Sequence, residues 1–333
     1  MSTIKDVAKL SGVSVGTVSR YLNGYQVKSG NKEKMDSAIK ELNFTLNPIA
    51  RGLKTSKTQT VGVIIPELSN MFSTFVIEGM EGIFEEFGYS VLVCNSRNDL
   101  KKEKEKLKFL KDKLVDGIIM MPVGDDGEHI EEVINSGLPV VLIDRLIKDL
   151  KCDAVVADNV NGVYQAVEAI IKKGHRSIGI ITGPKDIYTA RERLEGYKRA
   201  LMDYGIEIND DLIVYSHYNI EGGESAFKKI LSLDNPPTAI FVSNYLMTTG
   251  ALKSIIEEHL VIGEDISVFG YDQVEFFRIL NPQLSVVVQP MDEIGLKAAE
   301  LLVKRMSGDY SGYPMISRLK TDMIVTDSIK KIL

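Results

Sequence analysis

The sequence predicts a small all-α helix-turn-helix head followed by a two-lobed α/β body with parallel sheets. Three observations carry that expectation. Apolar residues recur at helical spacing over the first 42 residues, short apolar runs alternate with amphipathic segments from Val61 onward, and that alternation occurs twice in succession. The domain limits that follow are a head over 1–46, a hinge helix and linker over 47–59, and a body over 60–333. Within the body, lobe one is expected to take about 60–158 and 289–316, and lobe two about 159–288 and 317–333.

In the head, Ile4, Val7, Ala8 and Leu10 share one helical face, and Val18 and Leu22 lie four apart on a second helix. Ser11-Gly12-Val13 separates them: glycine turns the chain where a β-carbon would strain, and Ser14 is placed to cap the following helix. With Val18 and Leu22 inward, Gly16, Ser19 and Arg20 face outward, flanked by Val15 and Thr17; Thr3, Asn23 and Lys32 complete the residues expected at DNA. An arginine can donate two hydrogen bonds to guanine O6 and N7, worth about 1 to 3 kcal/mol of discrimination, and Val15 suits a thymine methyl. Gly16 reads nothing through a side chain. A third helix is expected over Asn31–Leu42, with Met35, Ala38, Ile39 and Leu42 on one face. Asn47-Pro48 then offers a cap and a proline at the first helical position, for a helix running only to about Leu53. So short a helix is unstable alone in water and needs a partner chain or DNA.

Charge divides the chain in the same place. The net charge is −6, yet residues 1–60 hold ten basic and four acidic side chains, leaving +6 on the head and −12 on the rest. A basic head on an acidic body fits a phosphate backbone at one end only.

The body's strands are expected at Val61–Ile65, Ser90–Asn95, Gly117–Met121 and Val140–Ile143, with helices near Thr74–Phe87, Lys102–Lys113 and Glu128–Ser136. The second set has strands Ser177–Thr182, Leu212–Tyr215, Ala239–Val242 and Ile266–Phe269, with helices near Val160–Lys173, Arg191–Tyr204, Gly222–Leu231 and Thr248–His259. Ser285–Val288, Met291–Met306 and Ser317–Thr326 are expected to cross back between the lobes. Two tandem α/β lobes favour a ligand cleft between them, lined by loops at the carboxyl ends of strands.

Several classes are excluded. No Gly-x-Gly-x-x-Gly follows the Val61 or Ser177 strand, and the four histidines (His129, His175, His217, His259) form no triad pattern with the serines, so no enzyme is expected. Neither cofactor nor metal is implied. Cys94 and Cys152 lie in or beside apolar segments and are expected as buried free thiols. The chain opens without a long apolar core, and no run approaches the roughly 18 to 20 apolar residues that span a bilayer. A soluble, cytoplasmic protein with no membrane partner is expected.

Seven segments fall in the order of one family: Thr3–Ala8 (TIKDVA), Val13–Arg20 (VSVGTVSR), Ala50–Leu53 (ARGL), Val63–Pro66 (VIIP), Ile143–Arg145 (IDR), Arg191–Gly196 (RERLEG) and Ser267–Asp272 (SVFGYD). On these the chain resembles the lac repressor and galactose repressor family of bacterial transcription regulators over nearly its whole length, and its body resembles periplasmic binding proteins. The resemblance implies a homodimer on a pseudo-palindromic double-stranded DNA operator, and a carbohydrate-gene repressor switched by a sugar-like effector. It implies that Leu53 wedges into a minor-groove base step with Arg51 supporting the backbone nearby. It also maps effector contacts onto Asn70, Phe72, Asp144, Arg145, Arg193, Tyr218, Asn244, Asp272 and Gln289.

Three departures stand out. Tyr245 follows Asn244 where the family usually has aspartate, Glu67 replaces an aspartate, and Phe44 and Leu46 replace Tyr and Pro ahead of the hinge. Loss of a carboxylate at 245 with Arg145 and Arg193 retained points to a ligand that carries a carboxylate or phosphate, such as a sugar acid or sugar phosphate, within the wider sugar-like class. Two other functions compete: a catabolite-control regulator co-effected by a phosphorylated carrier protein, and a sugar sensor with no DNA role. The chain ends at Lys331-Ile-Leu333 without a leucine heptad, so a coiled-coil tetramer is not expected.

Overall fold

The computed structural model describes residues 2–22, 24–44 and 57–332. They form two compact units, one ending at Gln59 and one beginning at Thr60. The first unit holds three helices, α1 (Ile4–Ser11), α2 (Val15–Leu22) and α3 (Ser29–Glu41). Thr3 and Asp6 cap α1 reciprocally: the Thr3 hydroxyl accepts from the Asp6 amide, and the Asp6 carboxylate accepts from the Thr3 amide at 2.7 Å. Gly12, at φ 65°, ends α1 in the left-handed region, and the Ser14 hydroxyl accepts from the Thr17 amide at 3.2 Å to start α2. Val7, Ala8, Val18, Met35 and Ala38 form the core of this unit. The expected Asn31–Leu42 helix begins two residues earlier because Lys28 supplies its first carbonyl acceptor, to Asn31 and Lys32. The hinge helix expected over Asn47–Leu53 lies outside the described residues, as do Asn23, Arg51 and Leu53.

The second unit contains two six-stranded sheets. The first is ordered β11-β5-β4-β3-β1-β2, from β1 (Thr60–Ile65), β2 (Ser90–Asn95), β3 (Gly117–Met120), β4 (Val140–Ile143), β5 (Asp153–Ala157) and β11 (Ile316–Leu319), all parallel. The second is ordered β12-β10-β9-β8-β6-β7, from β6 (Ile178–Thr182), β7 (Ile213–Tyr215), β8 (Ala239–Val242), β9 (Ser267–Tyr271), β10 (Ser285–Val288) and β12 (Asp322–Ile324). Only β12 runs antiparallel, against β10. Near-continuous apolar runs make the inner strands buried on both faces, as parallel sheets between helices require, whereas β2, β11 and β12 at the sheet edges are partly exposed.

Helices cover them: α4 (Met71–Glu86), α5 (Leu100–Asp112), α6 (Glu128–Asn135) and α12 (Met291–Met306) on the first sheet; α7 (Asn159–Lys172), α8 (Tyr188–Asp203), α9 (Ile220–Leu231), α10 (Tyr245–Glu257) and the single-turn α11 (Glu275–Arg278) on the second. Where α4 meets α12, Gly295 lies so close to its neighbour that an added β-carbon would sit 2.0 Å from the Val76 carbonyl oxygen. At the far end of α12, buried Arg305 forks onto the Asp153 carboxylate of β5 at 2.6 and 3.1 Å.

The chain crosses between lobes three times: from β5 to α7, from β10 to α12, and from β11 to β12. The last crossing corrects the expected lobe limits. Ser317, Arg318 and Leu319, assigned by sequence to lobe two, pair with β5 in lobe one, and the crossing falls at Lys320-Thr321. An unbroken polar and apolar mixture across 317–326 concealed two short strands with different partners. Strand β5 and helix α11 were also unanticipated, since each is five residues or fewer and too short for a period to show. Cys94 and Cys152 are buried free thiols, with burial pushing the Cys152 thiol up to about 12.

Candidate functional site

On the first unit, Val15, Gly16 and Arg20 are exposed along one side of α2, opposite buried Val18. Thr17 is half-buried and its hydroxyl shares a 2.9 Å hydrogen bond with Ser14, which places it in the α2 start as much as on the surface. Ser19 is also half-buried, and Lys32 is exposed on α3. The Arg20 guanidinium lies 5.9 Å from the Tyr25 ring centre, an arrangement that steadies the side chain without consuming its donors. Thr3 is spent on the α1 cap, though its position keeps it exposed.

On the second unit, the expected effector residues follow the carboxyl ends of strands in both sheets. Asn70 lies in the loop after β1, Asp144 and Arg145 directly after β4, Tyr218 after β7, Asn244 after β8, Asp272 after β9 and Gln289 after β10. Strand order reverses between β1 and β3 in one sheet and between β6 and β8 in the other, and Asn70 and Asn244 stand at those switch points. Asn70 and Asn244 both cap helices. The Asn70 oxygen accepts from the Phe72 amide at 3.0 Å, and the Asn244 oxygen from Leu246 and Met247 at 2.9 and 3.3 Å. Capping fixes each amide and leaves its NH2 to donate elsewhere.

Arg193, 4% exposed on α8, is the centre of the set. Its Nε donates to Asn159 at 2.9 Å, its Nη1 to the Ser243 carbonyl at 2.6 Å, and its guanidinium lies 3.8 Å from the Tyr271 ring centre. Asn159 Oδ1 also accepts from the Tyr271 hydroxyl at 2.8 Å. Burial alone would lower the Arg193 pKa, but Tyr271, Tyr218, Asp272 and Asp144 around it hold it above its ordinary value. Asp272 accepts from Gln289 Nε2 at 2.6 Å, and Asp144 meets Arg145 Nε at 3.3 Å. Burial pushes both carboxyls up, against the pull of Arg145 and Arg193 on Asp144 and of Arg193 and Gln289 on Asp272. Asp144 and Asp272 adopt left-handed φ values of 67° and 69°, which sets the backbone of both strand ends in the same unusual way. Arg145 Nη1 donates to the Pro122 and Val123 carbonyls at 2.9 and 3.3 Å.

Phe72 differs from expectation: its ring belongs to the apolar core of lobe one. Tyr218 packs on the lobe-two core, with its hydroxyl 3.4 Å from Thr189 and its ring against Gly183, where a β-carbon would collide with it at 2.2 Å. Asn159, Ser243 and Tyr271 join the site although sequence reasoning did not place them there, and Tyr245, noted in the sequence only as a departure, joins it too; Asn159 is found only once the first crossing is located. Ser243 Oγ and Gln289 Oε1 are buried without a hydrogen-bond partner, an uncommon condition for groups that hydroxyl-rich ligands satisfy well. The lobes also meet through Arg191 on Asp125 at 2.8 and 3.1 Å and Arg318 on Glu192 at 2.8 and 3.0 Å. Among the described residues no group of His, Cys, Asp and Glu is arranged to hold a metal ion.

A helix-turn-helix unit and a two-lobed α/β unit with a polar cleft define a DNA-binding regulator with a ligand-binding body. Residues 3–47 match the sequence profile of the bacterial regulatory proteins of the lacI family, and residues 58–316 that of periplasmic binding proteins and the sugar binding domain of the LacI family. The chain belongs to the LacI family. It is 35% identical to the ribose operon repressor of Haemophilus influenzae over 94% of each chain, and 36% identical to catabolite control protein A of Priestia megaterium over 92% of each. Among solved structures, the lac repressor dimer bound to operator and the anti-inducer ONPF superposes with a TM-score of 0.88 at 25% identity, over 99% of each chain. The protein is a DNA-binding transcriptional repressor of that family with a body of its sugar-binding type. No helix among the described residues is long and apolar enough to cross a membrane.

Proposed function

We propose that this repressor controls carbohydrate-utilisation genes and responds to a small neutral sugar, with D-ribose the first candidate. The observation that carries the reading is the charge balance of the cleft: Asp144 and Asp272 stand against Arg145 and Arg193, and both guanidiniums are engaged by protein acceptors. Two carboxylates beside two guanidiniums leave the cleft without the surplus positive charge that would favour the carboxylate or phosphate of a sugar acid or sugar phosphate. Carboxylate, amide and guanidinium groups on both lobes suit vicinal hydroxyls, which donate and accept at once. The similarity to a ribose operon repressor supports the pentose. The head's DNA contacts are Thr3, Val15, Gly16, Thr17, Ser19, Arg20, Asn23 and Lys32, with Arg51 and Leu53 contributing from the hinge. The protein works in the cytoplasm, where its operator is.

By linkage, a sugar that favours the lobe arrangement unable to support paired hinges weakens DNA binding, and one that favours the other arrangement strengthens it. Operator gel shifts with D-ribose, a sugar acid and a sugar phosphate test the reading. A change in operator affinity with the neutral sugar alone is expected; a response confined to the acidic ligands would reverse the assignment. The 36% identity to catabolite control protein A supports one second reading, co-effection by a phosphorylated carrier protein, which predicts operator binding indifferent to every sugar.

A further inference from the structure

We propose that Tyr245 closes one end of the inter-lobe cleft by hydrogen bonding across it, so that the cleft takes a single sugar ring and excludes disaccharides. The inference rests on the sugar-effector reading above and adds a size limit to it. Tyr245 is the first residue of α10 in lobe two, and its side chain is 6% exposed. Its hydroxyl accepts a hydrogen bond from the Met71 amide, 3.1 Å away, at the start of α4 in lobe one.

That amide is an informative partner. It is the first N–H of a helix, so no carbonyl within the helix can accept from it. The Asn70 oxygen that caps α4 is bonded to the next amide, that of Phe72. The Tyr245 phenol therefore supplies the acceptor a helix start needs, and supplies it from the opposite lobe. Met71 in turn packs its side chain on the apolar cluster of lobe two, so the contact has an apolar half as well.

The ring stands between two segments that the cleft needs. Asn244 precedes it, the Tyr245 backbone amide itself donates to the Asp272 carboxylate, and Asn70 and Phe72 bracket the Met71 amide that the hydroxyl reaches. A six-membered phenol ring fills about the volume of one pyranose ring, so a second sugar unit would compete with Tyr245 for the same space. Arg193, Asp144, Asp272 and Gln289 remain for one ring to engage.

Two measurements test this. Hydrogen exchange at the Met71 amide, resolved to single residues in the full-length dimer without ligand, reads the tie directly. In Y245F, which keeps the ring and removes only the hydroxyl, exchange at Met71 is expected to rise about tenfold, the change a net hydrogen bond of about 1.4 kcal/mol gives; equal protection in both proteins overturns the tie. Thermal shifts with D-ribose, D-glucose, cellobiose and maltose read the size limit. Wild type is expected to respond to a monosaccharide only, and Y245A to gain a disaccharide response. A wild-type response to cellobiose or maltose matching that to its monosaccharide overturns the limit. Silence from every sugar with both proteins would overturn the effector reading together with the size limit, while the exchange measurement, which needs no ligand, still decides the tie.

Discussion

Asp272 illustrates how one buried carboxylate ties recognition to stability. Burial raises its pKa above the ordinary 3.8, with Arg193 and Gln289 opposing the rise. The folded chain therefore holds a proton that the unfolded chain has already released, and this residue's contribution to stability declines as pH climbs from about the ordinary value through the raised one. Asp272→Asn keeps an acceptor for Gln289 and removes the charge. In ligand-free urea melts, the stability of the variant relative to wild type is expected to grow across that acidic window and then level off; a difference independent of pH would contradict the assignment. Partly exposed carboxylates such as Glu224, held down to about 2 by Lys228 and Lys253, have the opposite pH dependence and cancel in the comparison. The same variant is expected to lose sugar binding, because a carboxylate accepts from two hydroxyls where an amide accepts from one side only.

At the level of elements, the α4–α12 pair is the tightest constraint in lobe one. Gly295→Ala places a methyl 2.0 Å from the Val76 carbonyl oxygen, so the helices must separate. A cost of about 1 to 3 kcal/mol is expected, seen as a fall in melting temperature of about 1 to 2 °C for each kcal/mol at this chain size. A melting temperature equal to wild type would show that the helix pair yields freely. Elements of this kind were legible where periodicity and caps agreed. The helix-turn-helix, eight of the twelve strands and eight of the nine other long helices of the described residues announce themselves by spacing, α12 having been read only as a segment that crosses back between the lobes. Short pieces did not, because β5, β10, β11, β12 and α11 owe their form to neighbours supplied from elsewhere in the chain. The site followed the same division. Asn70, Asn244, Asp144 and Asp272 lie where strand ends put them, whereas the roles of Asn159 and Tyr245 depend on contacts 34 and 174 residues away.

For the whole molecule, charge and symmetry act together. A head of +6 on a body of −12 directs DNA to one end of the chain, and two such heads in a dimer set the spacing of the operator half-sites. With Arg20 the one long side chain exposed beside Val15 and Gly16 on α2, the proposed DNA contacts assign much of the discrimination to half-site spacing and to Leu53. Leu53→Ala is expected to weaken operator binding by about tenfold or more, equivalent to about 1.4 kcal/mol, in gel shifts over a salt series. Unchanged affinity and salt response would remove the hinge from recognition.

The threefold crossing between lobes also dictates an order of events during synthesis. Sheet one lacks an edge strand until Leu319 has left the ribosome, and sheet two lacks one until Ile324 has. The head, whose core closes with Ala38, can fold while nearly all of the body is still untranslated. A nascent chain therefore presents a finished DNA-reading unit long before it has a finished sensor. A transcript cut short anywhere in the body would release a head with no means of being switched.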